Sequence, residues 1–390
     1  MKNRIASVDI FRALTMLMML WVNDFAGMAN IPHGLCHAAM DEDMLGFSDL
    51  VFPAFLFCVG MSIPFAIRTR YRKGDSHLQV LLHIAERTLA LIVMGIFAIN
   101  LKGVEGGLTG PVITLMAVAG YFLLWNVYPS KEGRRPWWVT CLKALGAALL
   151  IFLIIYKDCN GASFKVGWWG ILGLIGWSYL ACSLIYIFTQ GAFKRIWIAW
   201  IAALALCVLN KLPFIPADFS CRWLFLSFYP GGWTHIALTA SGMLASALLM
   251  ECSEKEDSRR LIRSLVALGA AMLALGLVCH RFWIISKIQA TPTWLFFCTA
   301  IYFPLFALLY WIADVKGKTK WARPIATAGT ATLTCYILPY IWGAVLRLCQ
   351  VQWPAVLSSG YTGLVKSMAY AFLIIGIAWL LGKCHIKLKI

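Results

Sequence analysis

Long apolar runs separated by short polar stretches recur from one end of the chain to the other. Twelve of them approach the roughly 20 residues that an α-helix needs to cross a bilayer. Their approximate centres are Leu17, Phe57, Leu91, Gly120, Leu149, Trp177, Ala202, Gly242, Ala270, Ile301, Ile337 and Phe372. The pattern predicts an all-α fold, a polytopic transmembrane helix bundle of about twelve spans. The stretch 194–210 is short, and if it is re-entrant the count falls towards ten. No soluble domain, long linker, low-complexity tract or convincing repeat breaks the series, so residues 1–390 are expected to form one integral-membrane domain. The first run carries Asp9 and Arg12 near its start and has no small-residue cleavage site after it, which predicts a retained first helix rather than a cleaved leader.

Composition agrees with the pattern. Charged residues make up 13% of the chain and hydrophobic ones 61%, with a mean hydropathy of +0.77. Soluble domains carry about 25% charged residues. The formal net charge is +17, a surplus that would suit nucleic acid were it not for its distribution. Lys and Arg cluster at the N-terminus (Lys2, Arg4, Arg12), at every second loop (Arg68 to Lys73, Lys131 to Arg135, Lys194 and Arg195, Lys255 to Arg263, Lys316 to Arg323) and in the tail, together 23 of the 34 basic residues. By the positive-inside rule both termini are cytoplasmic, and the loop after the first run faces outward. Many of the 18 Trp fall at run ends, where interfacial anchoring explains them. The 13 Cys form no CxxC pair and no Cys/His spacing suited to zinc, so no metal site is expected.

Candidate chemistry concentrates in the stretch 21–53. Five of the 17 Asp and Glu residues lie there (Asp24, Asp41, Glu42, Asp43 and Asp49), together with Asn23, His33 and His37. An imidazole can serve as general base, proton shuttle or transient acyl acceptor; the plainer alternative for His37 is an interfacial, hydrogen-bonded ring. Asn23 offers an amide to orient a ring or to donate to a developing oxyanion. Asp49 opens the second run, where a carboxylate suits the helix dipole and could also fix the tautomer of a nearby His. His33 is the competing base, and the run Asp41 to Asp43 reads as a solvated surface. Asp9 and Arg12, three residues apart, share a helix face, and an Arg aimed into the bundle there could hold a phosphate. Ser286, Lys287, Gln289, Thr291 and Thr293 form a polar loop suited to a hydroxylated ligand, and His235 could line a polar cavity.

Three blocks carry a family resemblance: RIASVDIFRALTMLMMLWVND, then CHAA, then FSDLVFPAFLFCVGMSIPFAI. They resemble the start of the heparan-alpha-glucosaminide N-acetyltransferase family, and most closely its bacterial DUF5009-type members. WGILGLIGWSYL, ISKIQATPTWLFF, LLYWIADVKGKTKWARP and ATAGTATLTCYIL extend the likeness over nearly the whole chain. The resemblance implies a multispan enzyme that takes acetyl from cytosolic acetyl-CoA and delivers it to an amino sugar or glycan on the far side of the membrane. It implies catalytic roles for Asn23, His37 and Asp49 and cofactor contacts at Asp9 and Arg12; the residues themselves add expected substrate contacts at Asp24, His33, Ser286 and Lys287. The lysosomal enzymes place a Trp and Gly soon after the His and have a shorter His-to-Asp interval. Here Met40 and the acidic run stand instead, so the acceptor loop departs from theirs.

The expectation is a membrane acetyltransferase of a bacterial cytoplasmic membrane, its catalytic loop facing the periplasm. Its partners are acetyl-CoA as co-substrate, an amino-sugar or glycan acceptor and the lipid bilayer. No nucleic acid and no metal are expected, and a homodimer is left open. A transporter or flippase of a glycan precursor is the alternative from another class, and an O-acetyltransferase of the acyltransferase-3 type the alternative in acceptor atom.

Overall fold

The computed structural model describes residues 5–101, 109–128, 136–159, 164–167, 169–212, 231–255 and 257–389. Lys2, Arg4, Lys131, Arg134 and Arg135 lie outside them. The described chain forms thirteen α-helices: α1 (Ala6–Phe25), α2 (Phe47–Arg72), α3 (His77–Leu101), α4 (Thr109–Trp125), α5 (Trp137–Cys159), α6 (Gly170–Phe188), α7 (Phe193–Leu209), α8 (Gly232–Glu254), α9 (Ser258–Cys279), α10 (Pro292–Tyr310), α11 (Ala326–Thr330), α12 (Thr332–Leu348) and α13 (Gly360–Lys383). There is no strand among the described residues, only isolated bridges such as Ala29 with Ser359. In hydrocarbon every backbone amide must be satisfied within its own segment, which leaves the helix as the local solution for runs this apolar.

Each of the twelve expected centres falls inside a helix. Nine helices among the described residues are long and apolar enough to cross a membrane; a tenth is reached if the segment 320–330 and α12, bent by 75° between them, make one span. α4 and α7 have 17 residues each, the lower end of what a bilayer requires.

The chain divides into two compact units. The first comprises Met1–Thr15, Pro32–Leu91 and Leu174–Arg323; the second Met16–Ile31, Ile92–Gly173 and Pro324–Ile390. In the first, α2 and α8 cross backbone to backbone. A Cβ on Gly60 would run into the Thr239 carbonyl, and one on Gly242 into the Phe57 carbonyl, the small-residue contact that lets membrane helices pack closely. Ser246 Oγ donates to the Met61 carbonyl at 2.7 Å across the same seam. Phe57 also packs on Phe11, Tyr302 and Phe303, with ring centroids 5.5 to 5.7 Å apart. The start of α1 is capped from far along the chain: Asp314 accepts the Ala6 and Ser7 amides at 2.9 and 3.0 Å, a negative charge where the helix dipole favours one.

In the second unit α4 meets α5 through Gly120 and Gly146, each seated against side chains of the opposite helix. The final helix is tied to the end of α1 by Trp21 Nε1, which donates to the Leu364 carbonyl at 3.0 Å, and by the ion pair of Lys366 with Asp24 at 2.7 Å.

Candidate active site

The segment after α1 folds back on the start of α2. Gly46 permits this, because a Cβ there would strike the Cys36 carbonyl. Phe47 then begins α2 with Asp49 in its first turn. Pro53 has no N–H, so the Asp49 carbonyl lacks its normal helical partner, and the indole of Trp294 donates to it instead at 3.2 Å. The backbone of Asp49 is thereby held by α10.

The Asp49 carboxylate, 2% exposed, gathers three donors. Oδ2 accepts the Ala38 amide at 2.9 Å. Oδ1 lies 2.7 Å from His37 Nδ1 and 2.9 Å from Lys287 Nζ. Lys287 Nζ is also 2.7 Å from His37 Nδ1. That nitrogen has one in-plane position, filled by a proton or by a lone pair. With the proton there, His37 donates to Asp49 and presents a basic Nε2; with the lone pair there, it accepts from Lys287 and Nε2 carries the proton. The triangle therefore couples the tautomer of His37 to the place of the lysine ammonium. The His37 side chain is 43% exposed, so its outer nitrogen is within reach of a ligand while the inner one is tethered.

The rest of the loop is docked on the segment between α9 and α10. Asp43 accepts the Ile285 amide at 2.8 Å and pairs with His280 Nε2 at 2.8 and 3.0 Å. The Ile285 hydrogen bond, helped by His280, holds the Asp43 carboxyl below its ordinary value of 3.8 against a smaller opposing effect of burial. The Met40 carbonyl accepts from Ser286 Oγ at 3.1 Å and Gln289 Nε2 at 2.8 Å. Ser286 is thus buried and occupied by the loop itself. His33 sits in a short 3-10 turn, 70% exposed, with Nε2 3.0 Å from Glu42.

The other sequence candidates lie elsewhere. Arg12 is 3.6 Å from Asp9 and donates through Nη2 to Ser62 Oγ at 2.8 Å. Ser62 stands 13 residues beyond Asp49 on α2, roughly 20 Å along the helix at 1.5 Å per residue, so this pair and the His37 triangle are at well-separated levels of the first unit. Asn23 and Asp24 belong to the second unit, where they border a cavity of about 240 Å³ with Trp342, Trp353, Lys366 and Tyr370. Asp24 Oδ2 accepts from Lys366 and from Ser367 Oγ, both at 2.7 Å. His235 packs edge-on to Phe52 and to Trp294, with centroids 5.2 and 6.2 Å away; Pro230 before it lies outside the described residues. Among the described residues no three His, Cys, Asp or Glu side chains are grouped to hold a metal ion.

His280 and Lys366 were not singled out from the sequence, and no local signal marks them, because their partners are 237 and 342 residues away. The orphaned Asp49 carbonyl was readable from the spacing of Asp49 and Pro53; which donor would fill it was not.

These features define a multi-pass helical membrane protein with a histidine, carboxylate and lysine cluster at the mouth of its second helix. A family model described as "Domain of unknown function (DUF5009)" matches residues 4–214, just over half of the chain, and the chain belongs to that family. The matched range takes in Asn23, His37, Asp49 and WGILGLIGWSYL; Lys287 falls beyond it. The chain is also similar to the Heparan-alpha-glucosaminide N-acetyltransferase of Homo sapiens, 35% identical over 97 residues, and to that of Mus musculus, 34% identical over 98. Each alignment covers 25% of this chain and 14% of the relative's own length.

Proposed function

We propose that this chain is an acetyltransferase embedded in a bacterial cytoplasmic membrane, moving acetyl from acetyl-CoA to the amine of an amino sugar or glycan terminus, with the whole chain acting as one catalytic domain. The observation that carries the reading is the tethering of His37 Nδ1 by the buried Asp49 carboxylate at 2.7 Å. A carboxylate so placed selects the tautomer whose Nε2 is basic and stabilises the imidazolium formed when that nitrogen takes a proton. The acceptor amine attacks the thioester carbonyl, the C–N bond forms as the C–S bond breaks, and His37 Nε2 carries the amine's proton to the departing thiolate. Lys287, in contact with both partners, lends positive charge beside the developing negative charge on the carbonyl oxygen.

The residues present suit a nucleotide thioester. Arg12, its side chain only 25% exposed, is held by Ser62 and Asp9, and a guanidinium so oriented matches a phosphate. In this reading the basic loops and both termini face the cytoplasm, the His37 loop faces the periplasm, and ten to twelve spans cross the bilayer. Asn23 keeps the catalytic role expected of it, and in the second unit the Trp342 and Trp353 walls of the cavity that Asn23 borders suit the apolar face of a sugar, with Asp24 beside them. His33 and Ser286 contribute through the loop.

The test incubates the purified protein with labelled acetyl-CoA and a panel of amino sugars. Thermal stabilisation by CoA together with label on a sugar nitrogen is expected. A protein that ignores CoA and moves a glycan intact is a transporter, and label on a hydroxyl makes it an O-acetyltransferase.

A further inference from the structure

The first unit holds a second cavity, of about 670 Å³, walled by α7, α8 and α9. That volume lies within the ~300–1,000 Å³ of small-ligand sites. Its lining is graded along the helices. Lys194 and Arg260 stand in the first turns of α7 and α9. Further along the same two helices the wall becomes Trp197, Ala267 and Leu268, with Leu248 of α8 behind. Among the described residues no acidic side chain lines it. Both outer walls belong to helices with large apolar side chains turned outward, Ile198 and Ile201 on α7 and Val266, Leu273 and Leu277 on α9, so the slot borders the lipid phase of this membrane protein.

We propose that this slot is a binding site for an anionic glycerophospholipid, of the phosphatidylglycerol type. One acyl chain lies along Trp197, Leu268 and Leu248, and the headgroup phosphate sits between Lys194 and Arg260. The charge pattern selects the headgroup. Lys194 is exposed; Arg260 is about half exposed, with Glu251 3.8 Å from its Nη2 and Asp257 accepting its backbone amide at 2.9 Å, which leaves most of the five N–H donors of the guanidinium to other acceptors. A phosphate without an accompanying ammonium satisfies both cations, whereas a choline or ethanolamine headgroup brings a third positive charge to the same place. The gradient from cation to apolar wall gives the ligand one orientation, chain inward along the helices. The site does not depend on the proposed acetyl transfer and is separate from the His37 cluster.

Native mass spectrometry of the full chain, from mixed micelles with equal phosphatidylglycerol and phosphatidylcholine of matched chains, tests the assignment. The wild type is expected to retain phosphatidylglycerol preferentially. Lys194→Ser with Arg260→Gln should reduce the preference by about fivefold per cation removed, while Ala267→Trp, which fills the slot and leaves the cations, should reduce retention of both lipids. Lys194→Ser alone, at an exposed position, serves if the double variant does not elute as a monodisperse species. Equal retention of the two lipids by the wild type, or an undiminished preference in the cation variants, overturns the proposal. So does displacement of the lipid by glycerol 3-phosphate at equal concentration, which would make this a phosphate site, or a dimer abolished by Ala267→Trp, which would make it an interface between copies.

Discussion

Asp49→Asn keeps the shape of the side chain and removes its charge. In the native protein the carboxylate accepts from the Ala38 amide, His37 and Lys287 at 2.9, 2.7 and 2.9 Å. An amide offers one acceptor oxygen and two N–H donors. If the oxygen keeps the Ala38 amide, the NH2 group faces His37 Nδ1 and the Lys287 ammonium. It can donate only to a lone pair on Nδ1, so the ring proton moves to Nε2 and the base is lost. The lysine meets a donor. Hydrogen bonds to a charged group contribute about 1.5–3 kcal/mol each. Two of the three donors reach solvent in the variant, because the His37 and Lys287 side chains are 43% and 23% exposed, which brings the expected net loss to about 2–3 kcal/mol. Thermal unfolding in detergent, followed by tryptophan fluorescence, reads that loss. Acetyl transfer should fall by about 10²–10⁴, the range for a base held in the wrong tautomer or removed. Unchanged stability refutes the hydrogen-bond account. Lowered stability with a normal rate would make Asp49 a structural residue only.

Further expectations rest on separate features. Lys287→Met should lower acetyl transfer while leaving the His37–Asp49 contact in place, with a shifted pH–rate profile; an unaltered profile and rate would remove Lys287 from the site. Because the folded Asp43 carboxyl titrates below its ordinary 3.8, its contribution to loop docking is present above that value and is lost as pH falls through the lower, folded one. Hydrogen exchange at the Ile285 amide should therefore remain slow at pH 5 and quicken in that acid window, and Asp43→Asn should abolish the step; an acid step that persists in the variant assigns it to another group. Gly60→Ala should destabilise by about 1–3 kcal/mol, because the new methyl meets the backbone of α8. Gly376→Ala, where nothing lies within 4 Å, should be neutral or mildly stabilising, and equal effects of the two would contradict the close crossing.

The runs of apolar residues located the helices well, since the centre of every expected span lies in one. Their number as spans was less legible: α4 and α7 stop at 17 residues, a length at which hydropathy does not separate crossing from embedding. The pairing of His37 with Asp49 could be anticipated because both lie in one short segment and α2 starts between them. Lys287 was read as a ligand contact, and the structure brings it against Asp49 and His37. Nothing in a local pattern brings a residue 250 positions away to a given imidazole. The same holds for Asp314, whose carboxylate caps α1 from 308 residues away. Polar partners in a membrane bundle are chosen by helix packing, and a hydropathy profile averages over the side-chain directions that decide it.

The most direct measurement of the central claim is the initial rate of label transfer from acetyl-CoA to an amino sugar by wild type and by His37→Ala protein, each first shown to be folded and to bind CoA. The account predicts transfer by the wild type and a loss of at least about 10² in the variant, the scale of general-base catalysis. Transfer at the wild-type rate by His37→Ala would contradict it.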